Sequence, residues 1–213
     1  MNSRRWAQAA LAGIAVYVAI DVALVFLRPH FSVLHNAESD YGSAGRYAWL
    51  MDLNFVLRCA LSLAAVRALV LVAGAGGRLR VALASLSVWA FASGLLAFFP
   101  DDPVGTRTHG LANVHLVLAL VAFVAVVVGT RSATRTLRLD PAWQPAVPLL
   151  ALLSLGAFVP IVLLAKAHLR VYSLGGLWEK VFLGMELLWL GVAAAWIARG
   201  AAEELPAPAP ETA

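Results

Sequence analysis

Apolar residues run without polar alternation through six stretches, Trp6 to Leu27, Tyr47 to Ala73, Val81 to Phe99, Ala112 to Gly129, Ala146 to Ala165 and Val181 to Ala198. Each is close to the roughly 20 residues a helix needs to cross hydrocarbon. Barrel strands would alternate in segments of about ten residues, and runs such as Val117 to Val128 do not alternate. The pattern therefore predicts an all-α, polytopic membrane protein: one domain over residues 1–200, built as a six-transmembrane-helix bundle. Residues 201–213 are mainly Pro, Ala and Glu with no apolar face, and are expected to form a disordered cytoplasmic tail. Pro148 falls in the first turn of the fifth run, where a missing donor costs little, whereas Pro160 lies inside it and is expected to kink the helix. The basic, polar stretch Arg131 to Ala142 reads as a solvated connector. Gly74 to Gly77 and Gly175-Gly176 lack phosphate-loop spacing and read as turns.

Composition agrees with a membrane. Of 213 residues, 62% are apolar and 13% charged, with a mean hydropathy of +0.82, against about 45–50% and about 25% in soluble domains. No sizeable aqueous domain fits beside six spans. Cys59, the single cysteine, can form no intrachain disulfide. The net charge of +4 is divided among connectors, so it reads as a topology signal and excludes a nucleic-acid footprint. Near the span ends, eight arginines lie on the side of the termini and six Lys or Arg on the other. This bias predicts that both termini are cytoplasmic.

The candidate chemistry is one-sided. All five histidines, His30, His35, His109, His115 and His168, fall in or beside the three connectors opposite the termini, together with Glu38, Asp40, Asp101, Asp102 and Glu179. At about 1.5 Å per residue, Asp21, Asp52 and Glu186 lie about 8–9 Å inside spans one, two and six, with Arg58 about two turns deeper than Asp52. Buried ionisable groups in spans face the bundle interior and are functional candidates. Arg58 is expected to pair across helices with Asp21 or Glu186 rather than with Asp52, six residues away on its own helix. Such a pair equally reads as structural neutralisation. No acid lies on the inner halves of the spans, so a transport route is not indicated and a blind pocket at the His-rich end is.

His115, His109, Asp102 and Asp40 are donors suited to a divalent metal such as Zn, although six residues separate the two histidines and only a loop position for His109 lets both ligate. Ser39 beside Asp40, with His115 and Asp102, supplies the residue types of a nucleophilic triad, but Glu38-Ser39-Asp40-Tyr41-Gly42 is no nucleophile elbow. Ser39 also reads as the cap of a short turn, and Asp102-Pro103 as a capped turn.

Three segments together resemble a family. Asn36-Ala37-Glu38-Ser39-Asp40, then Phe99-Pro100-Asp101-Asp102-Pro103 followed by Gly110 and His115, and Gly176-Leu177-Trp178-Glu179-Lys180 are similar to the pattern of the bacterial six-span family called domain of unknown function 998. The resemblance implies a six-span layout over nearly the whole chain, in the inner membrane of a bacterium, and carries over Ser39, Asp40, Asp102, Pro103, His115 and Glu179. Asp40 stands where the family pattern has Glu, and Lys180 where it has Arg, which loses a bidentate fork. Asp21, Asp52 and Glu186 are not part of that pattern.

Two classes of function follow from the sequence. One is a membrane-embedded hydrolase acting on a lipid or amphiphile, with His115 as base or metal ligand and Asp102, Asp40, Ser39 and Glu179 around it. The other is a non-catalytic membrane subunit, or a protein binding a lipid or small molecule, with a structural polar network.

Overall fold

The computed structural model describes residues 2–74, 76–102, 110–167 and 174–200. His109, Pro103, Arg107, His168, Arg170, Tyr172 and the tail 201–213 lie outside them. Among the described residues, seven α-helices make the bundle: α1 (Ser3–Leu27), α2 (Ala48–Ala73), α3 (Arg80–Leu95), α4 (Gly110–Leu137), α5 (Val147–Gly156), α6 (Phe158–Ala167) and α7 (Gly175–Ala198). Joined through Ala157, α5 and α6 make one span, and a 3-10 turn at Leu96–Phe98 extends α3, so six segments are long and apolar enough to cross a membrane.

Local chemistry sets the ends. Asn2 caps α1 by accepting from the Arg5 backbone N–H at 3.1 Å, and Pro29 ends that helix by excluding helical conformation at Arg28. Pro160 cannot donate to the Gly156 carbonyl, and the fifth span divides there, between Gly156 and Phe158. The span is thus interrupted one turn before the proline at which a kink is expected.

Two expected boundaries are corrected. Much of the basic stretch read as a connector is helical, because α4 continues to Leu137 with Arg135 in its last turn, a position where cations favour the helix dipole. At the other end of the bundle, α7 begins at Gly175. Gly175-Gly176 is therefore a first helical turn rather than a loop, and Glu179 and Lys180 are helical residues. Glu186 then lies about 16 Å along α7, deeper than Asp21 or Asp52, so the three acids do not share one depth.

The helices pack α1 on α2, α2 on α3, α3 on α4 and α7 against α1. Gly129 permits one close approach, since a Cβ there would fall 2.8 Å from Leu86 Cγ. Buried indoles find partners, as a low-dielectric interior requires: Trp89 donates to Ser62 Oγ and Trp189 to Thr134 Oγ1, each at 2.9 Å. Val16, Val22, Phe26, Leu116, Val117, Leu120 and Val124 stand exposed on α1 and α4, the faces that hydrocarbon covers.

Candidate functional site

The 28–47 connector, between α1 and α2, does not arch over the bundle but folds down into it. Arg28, the residue after α1, is buried and acts as a clamp. Its Nη1 donates to the carbonyls of Tyr41 and Ser43, its Nη2 donates to Ala44 at 2.7 Å, and its guanidinium lies 4.6 Å over the Phe31 ring. Asp40 fixes the turn from within, accepting from Asn36 Nδ2 at 2.9 Å and from the Ala37 N–H at 2.8 Å. Burial pushes the Asp40 carboxyl above its ordinary range, against the pull of those two donors.

From the other side, the start of α7 grips the same connector. Leu177 N–H donates to the Leu34 carbonyl at 3.0 Å and Lys180 Nζ to the Asn36 carbonyl at 2.8 Å. Gly176 is the point of contact: a Cβ there would lie 2.1 Å from the Asn36 oxygen. Glu179 is buried against the Glu38 backbone N–H.

These clamps drive Glu38 into the interior, where it is 2% exposed. Tyr17 Oη donates to Glu38 Oε1, and Arg58 Nη1 reaches Glu38 Oε2 at 3.4 Å and Tyr17 Oη at 3.3 Å. The Arg58 guanidinium is further enclosed by the faces of Trp89 at 5.0 Å and Phe55 at 5.1 Å, an environment that holds a desolvated cation. Asp21 stands on the same cavity as Glu38 and accepts from Asn54 Nδ2 at 3.3 Å.

The expected partner of Arg58 is thereby corrected. The ion pair is with Glu38, because a connector acid descends to the depth of Arg58. Asp21 shares the cavity with Glu38. Asp52 instead faces His115, and Glu186 faces Thr130, whose hydroxyl donates to the Val126 carbonyl at 2.9 Å. Both Glu186 oxygens are buried without a hydrogen-bond partner.

The carried-over residues divide into two groups. Glu179 packs against Glu38 and Asp40 holds the turn that carries it, whereas Ser39 Oγ donates to Asp101 at 3.2 Å. His115 turns the other way, its Nδ1 bonded to the Phe99 carbonyl at 2.6 Å and its ring set edge-on to Phe55. Because a carbonyl only accepts, Nδ1 carries the proton. Asp102 sits with Asp101 beyond Phe99 and accompanies this second group in the chain. Among the described residues, no group of three or more His, Cys, Asp or Glu is placed to hold a metal ion.

Beside the first group lies a cavity of about 180 Å³ lined by Asp21, Val22, Val25, Glu38, Tyr41 and Lys180. Sequence reasoning missed Tyr17, Glu38, Tyr41, Asn54, Arg28 and Lys180 as site residues. Glu38 stood in the quoted motif, and the unmet charge of Arg58 was the signal that an acid had to reach it.

Six apolar spans carrying a buried ionic network at one end define a polytopic α-helical membrane protein set in a lipid bilayer. Residues 11–196 match the model of the family described as protein of unknown function DUF998, and the chain belongs to that family. No curated protein and no solved structure matches the chain.

Proposed function

We propose that this protein binds an amphiphile, holding its polar end group in the cavity between α1, α7 and the 28–47 connector while the chain lies along α1 in the bilayer. One observation carries the reading. The cavity joins three polar side chains, Asp21, Glu38 and Lys180, to an apolar wall of Val22 and Val25. Val22 is 52% exposed on the helix face that meets hydrocarbon, so the polar end of the cavity is continuous with a lipid-facing surface. Sites for small molecules combine these ingredients, mostly apolar lining with a few convergent polar groups. With the termini cytoplasmic, as the basic balance favours, the cavity belongs to the outer leaflet of a bacterial inner membrane.

The hydrolase reading draws less support from the geometry. It needs a nucleophile beside a base, but Ser39 and His115 are engaged by Asp101 and by the Phe99 carbonyl respectively. Native mass spectrometry of the protein released from detergent, wild type beside Val25→Trp, tests the binding reading. A retained amphiphile in the wild type that is lost when indole fills the cavity is expected; identical spectra for the two proteins overturn it.

A further inference from the structure

We infer that α4 carries a docking strip for an acidic phospholipid, with an acyl chain lying along Val117 to Val128 and the phosphate held by Arg131, Arg135 and Arg138. The strip ends where the termini of the bundle lie, away from the cavity, and does not depend on what the cavity binds.

Helix periodicity puts its two halves in line. At about 100° per residue, Val117, Leu120, Val124 and Val128 fall with Arg131, Arg135 and Arg138 inside one arc of about 80°. The four apolar side chains are 41–62% exposed, whereas Ala122, Val126, Gly129 and Ala133, on the opposite side, are buried against the bundle. Arg131 is half-buried, and Arg135 and Arg138 are exposed. Arg138 keeps the register one residue past the helix, its N–H donating to the Thr134 carbonyl at 3.0 Å. At about 1.5 Å per residue the apolar half runs for about 16 Å, close to half of a hydrocarbon core of about 30 Å. That is the depth of one leaflet, and Arg131 follows three residues further on, where head groups sit.

The arginines are not met from within the protein. No Asp or Glu occurs between Gly110 and Leu139, and none of the three arginines pairs with a carboxylate among the described residues. Asp140, the next acid, accepts from the Ala142 N–H at 2.9 Å as the cap of the following turn. Spaced four and three residues apart, the guanidiniums neighbour one another, and like charges at that spacing repel. The helix dipole favours cations in a last turn, but it does not choose a face. Here Ser132, Ala133, Thr134 and Thr136 leave the other faces uncharged, and the charge stands only in line with the lipid-facing residues. Arg80, exposed where α3 begins beside the end of α4, adds to the same field. A phosphodiester brings one negative charge and oxygens that a guanidinium fork takes in pairs. A zwitterionic head group would set a second cation against the cluster, and a soluble anion would leave the apolar half unused. An acidic phospholipid matches both halves.

The experiment titrates the purified full chain in a non-ionic maltoside with phosphatidylglycerol, with phosphatidylcholine of the same acyl chains, or with glycerol phosphate, following the unfolding temperature. Phosphatidylglycerol is expected to stabilise saturably, with at least about tenfold tighter apparent binding than either of the others. Replacing all three arginines, Arg131→Gln with Arg135→Gln and Arg138→Gln, should remove that preference. Arg4→Gln with Arg5→Gln and Arg199→Gln takes the same charge from exposed positions at the same end and should change phosphatidylglycerol binding by less than about threefold, because basic residues act within a Debye length and the strip stays intact. If the first triple variant does not fold, Arg135→Gln alone decides, with an expected loss of about fivefold. Val25→Trp, at the cavity, should leave this binding unchanged. Equal losses in the two triple variants would show a diffuse basic surface and overturn the strip. Equal binding of the two lipids overturns the acidic head group, and glycerol phosphate binding as tightly as phosphatidylglycerol overturns the lipid. Loss of phosphatidylglycerol in Val25→Trp would move the lipid to the cavity and overturn the assignment to α4.

Discussion

Removing Arg58 is the sharpest test of how this end of the bundle is held. The side chain is 1% exposed, it pairs with Glu38, and three aromatic rings lie 5.0–5.9 Å from its Cζ. Arg58→Met keeps the length and apolar body of the side chain but leaves the buried Glu38 carboxylate without its cation. Breaking a buried pair from one side costs about 3–5 kcal/mol, and loss of the cation–aromatic contacts falls inside that range rather than adding to it. Arg58→Met with Glu38→Gln removes the orphaned charge while Gln still accepts from Tyr17, so at least about half the loss should return, a coupling of about 1–3 kcal/mol.

Reversible unfolding in mixed micelles of rising dodecyl sulfate fraction gives these differences directly. The double variant Arg58→Met with Glu186→Gln serves as the control for partner identity. Glu186 faces Thr130 and not Arg58, so its effect should add to that of Arg58→Met within about 0.5 kcal/mol. Arg58→Met indistinguishable from wild type, or no recovery in the Glu38 double variant, would refute the account of the network. Coupling to Glu186 instead of Glu38 would restore the pairing expected from helix spacing.

Gly176→Ala should destabilise by about 1–3 kcal/mol or more, since its Cβ would meet the Asn36 carbonyl at 2.1 Å; Gly184→Ala, with open space around it, should be neutral or stabilising, and equal unfolding curves for the two variants would contradict the contact. Asp40 holds its proton more tightly folded than unfolded, so stability falls as pH rises from the ordinary Asp range through the raised value. Asp40→Asn should flatten that part of the profile and unfold at a higher temperature than wild type above it; a curve parallel to wild type would count against the burial argument. Reporter fusions after Ala201 should be active as cytoplasmic reporters and those near Gly105 inactive, the reverse pattern inverting the bundle in the membrane.

The spans were legible because nothing but a membrane accommodates six uninterrupted apolar runs in 213 residues. Their ends were less so, and for a physical reason. A switch from apolar to basic residues marks where a helix leaves hydrocarbon, not where it stops, and α4 carries Arg131 and Arg135 past that point as ordinary helical residues. At α7 the error runs the other way. Glycine weakens a helix and so suggests a turn, yet Gly176 is helical because only a residue without Cβ lets the helix lie against Asn36.

The site was half legible for a related reason. Arg58 announced that an acid must meet it, and counting depth along helices offered Asp21, Asp52 and Glu186, a procedure that assigns every connector residue to the surface. Helix-to-helix connections in bundles commonly take about 2–8 residues, and the 28–47 connector is far longer than joining α1 to α2 requires. Chain beyond that need either lies on the surface as solvated loop or is packed for a purpose. Here it is packed: Arg28 holds it by three carbonyls, α7 holds it at Leu34 and Asn36, and its cargo is Glu38. Stability alone would be served as well by an apolar residue at 38 and another at 58, since well-packed apolar side chains commonly match or exceed a buried ion pair. Delivering a carboxylate from a connector to the depth of a membrane arginine, beside a second acid and a cavity, is therefore better explained by what the cavity receives than by what the fold requires.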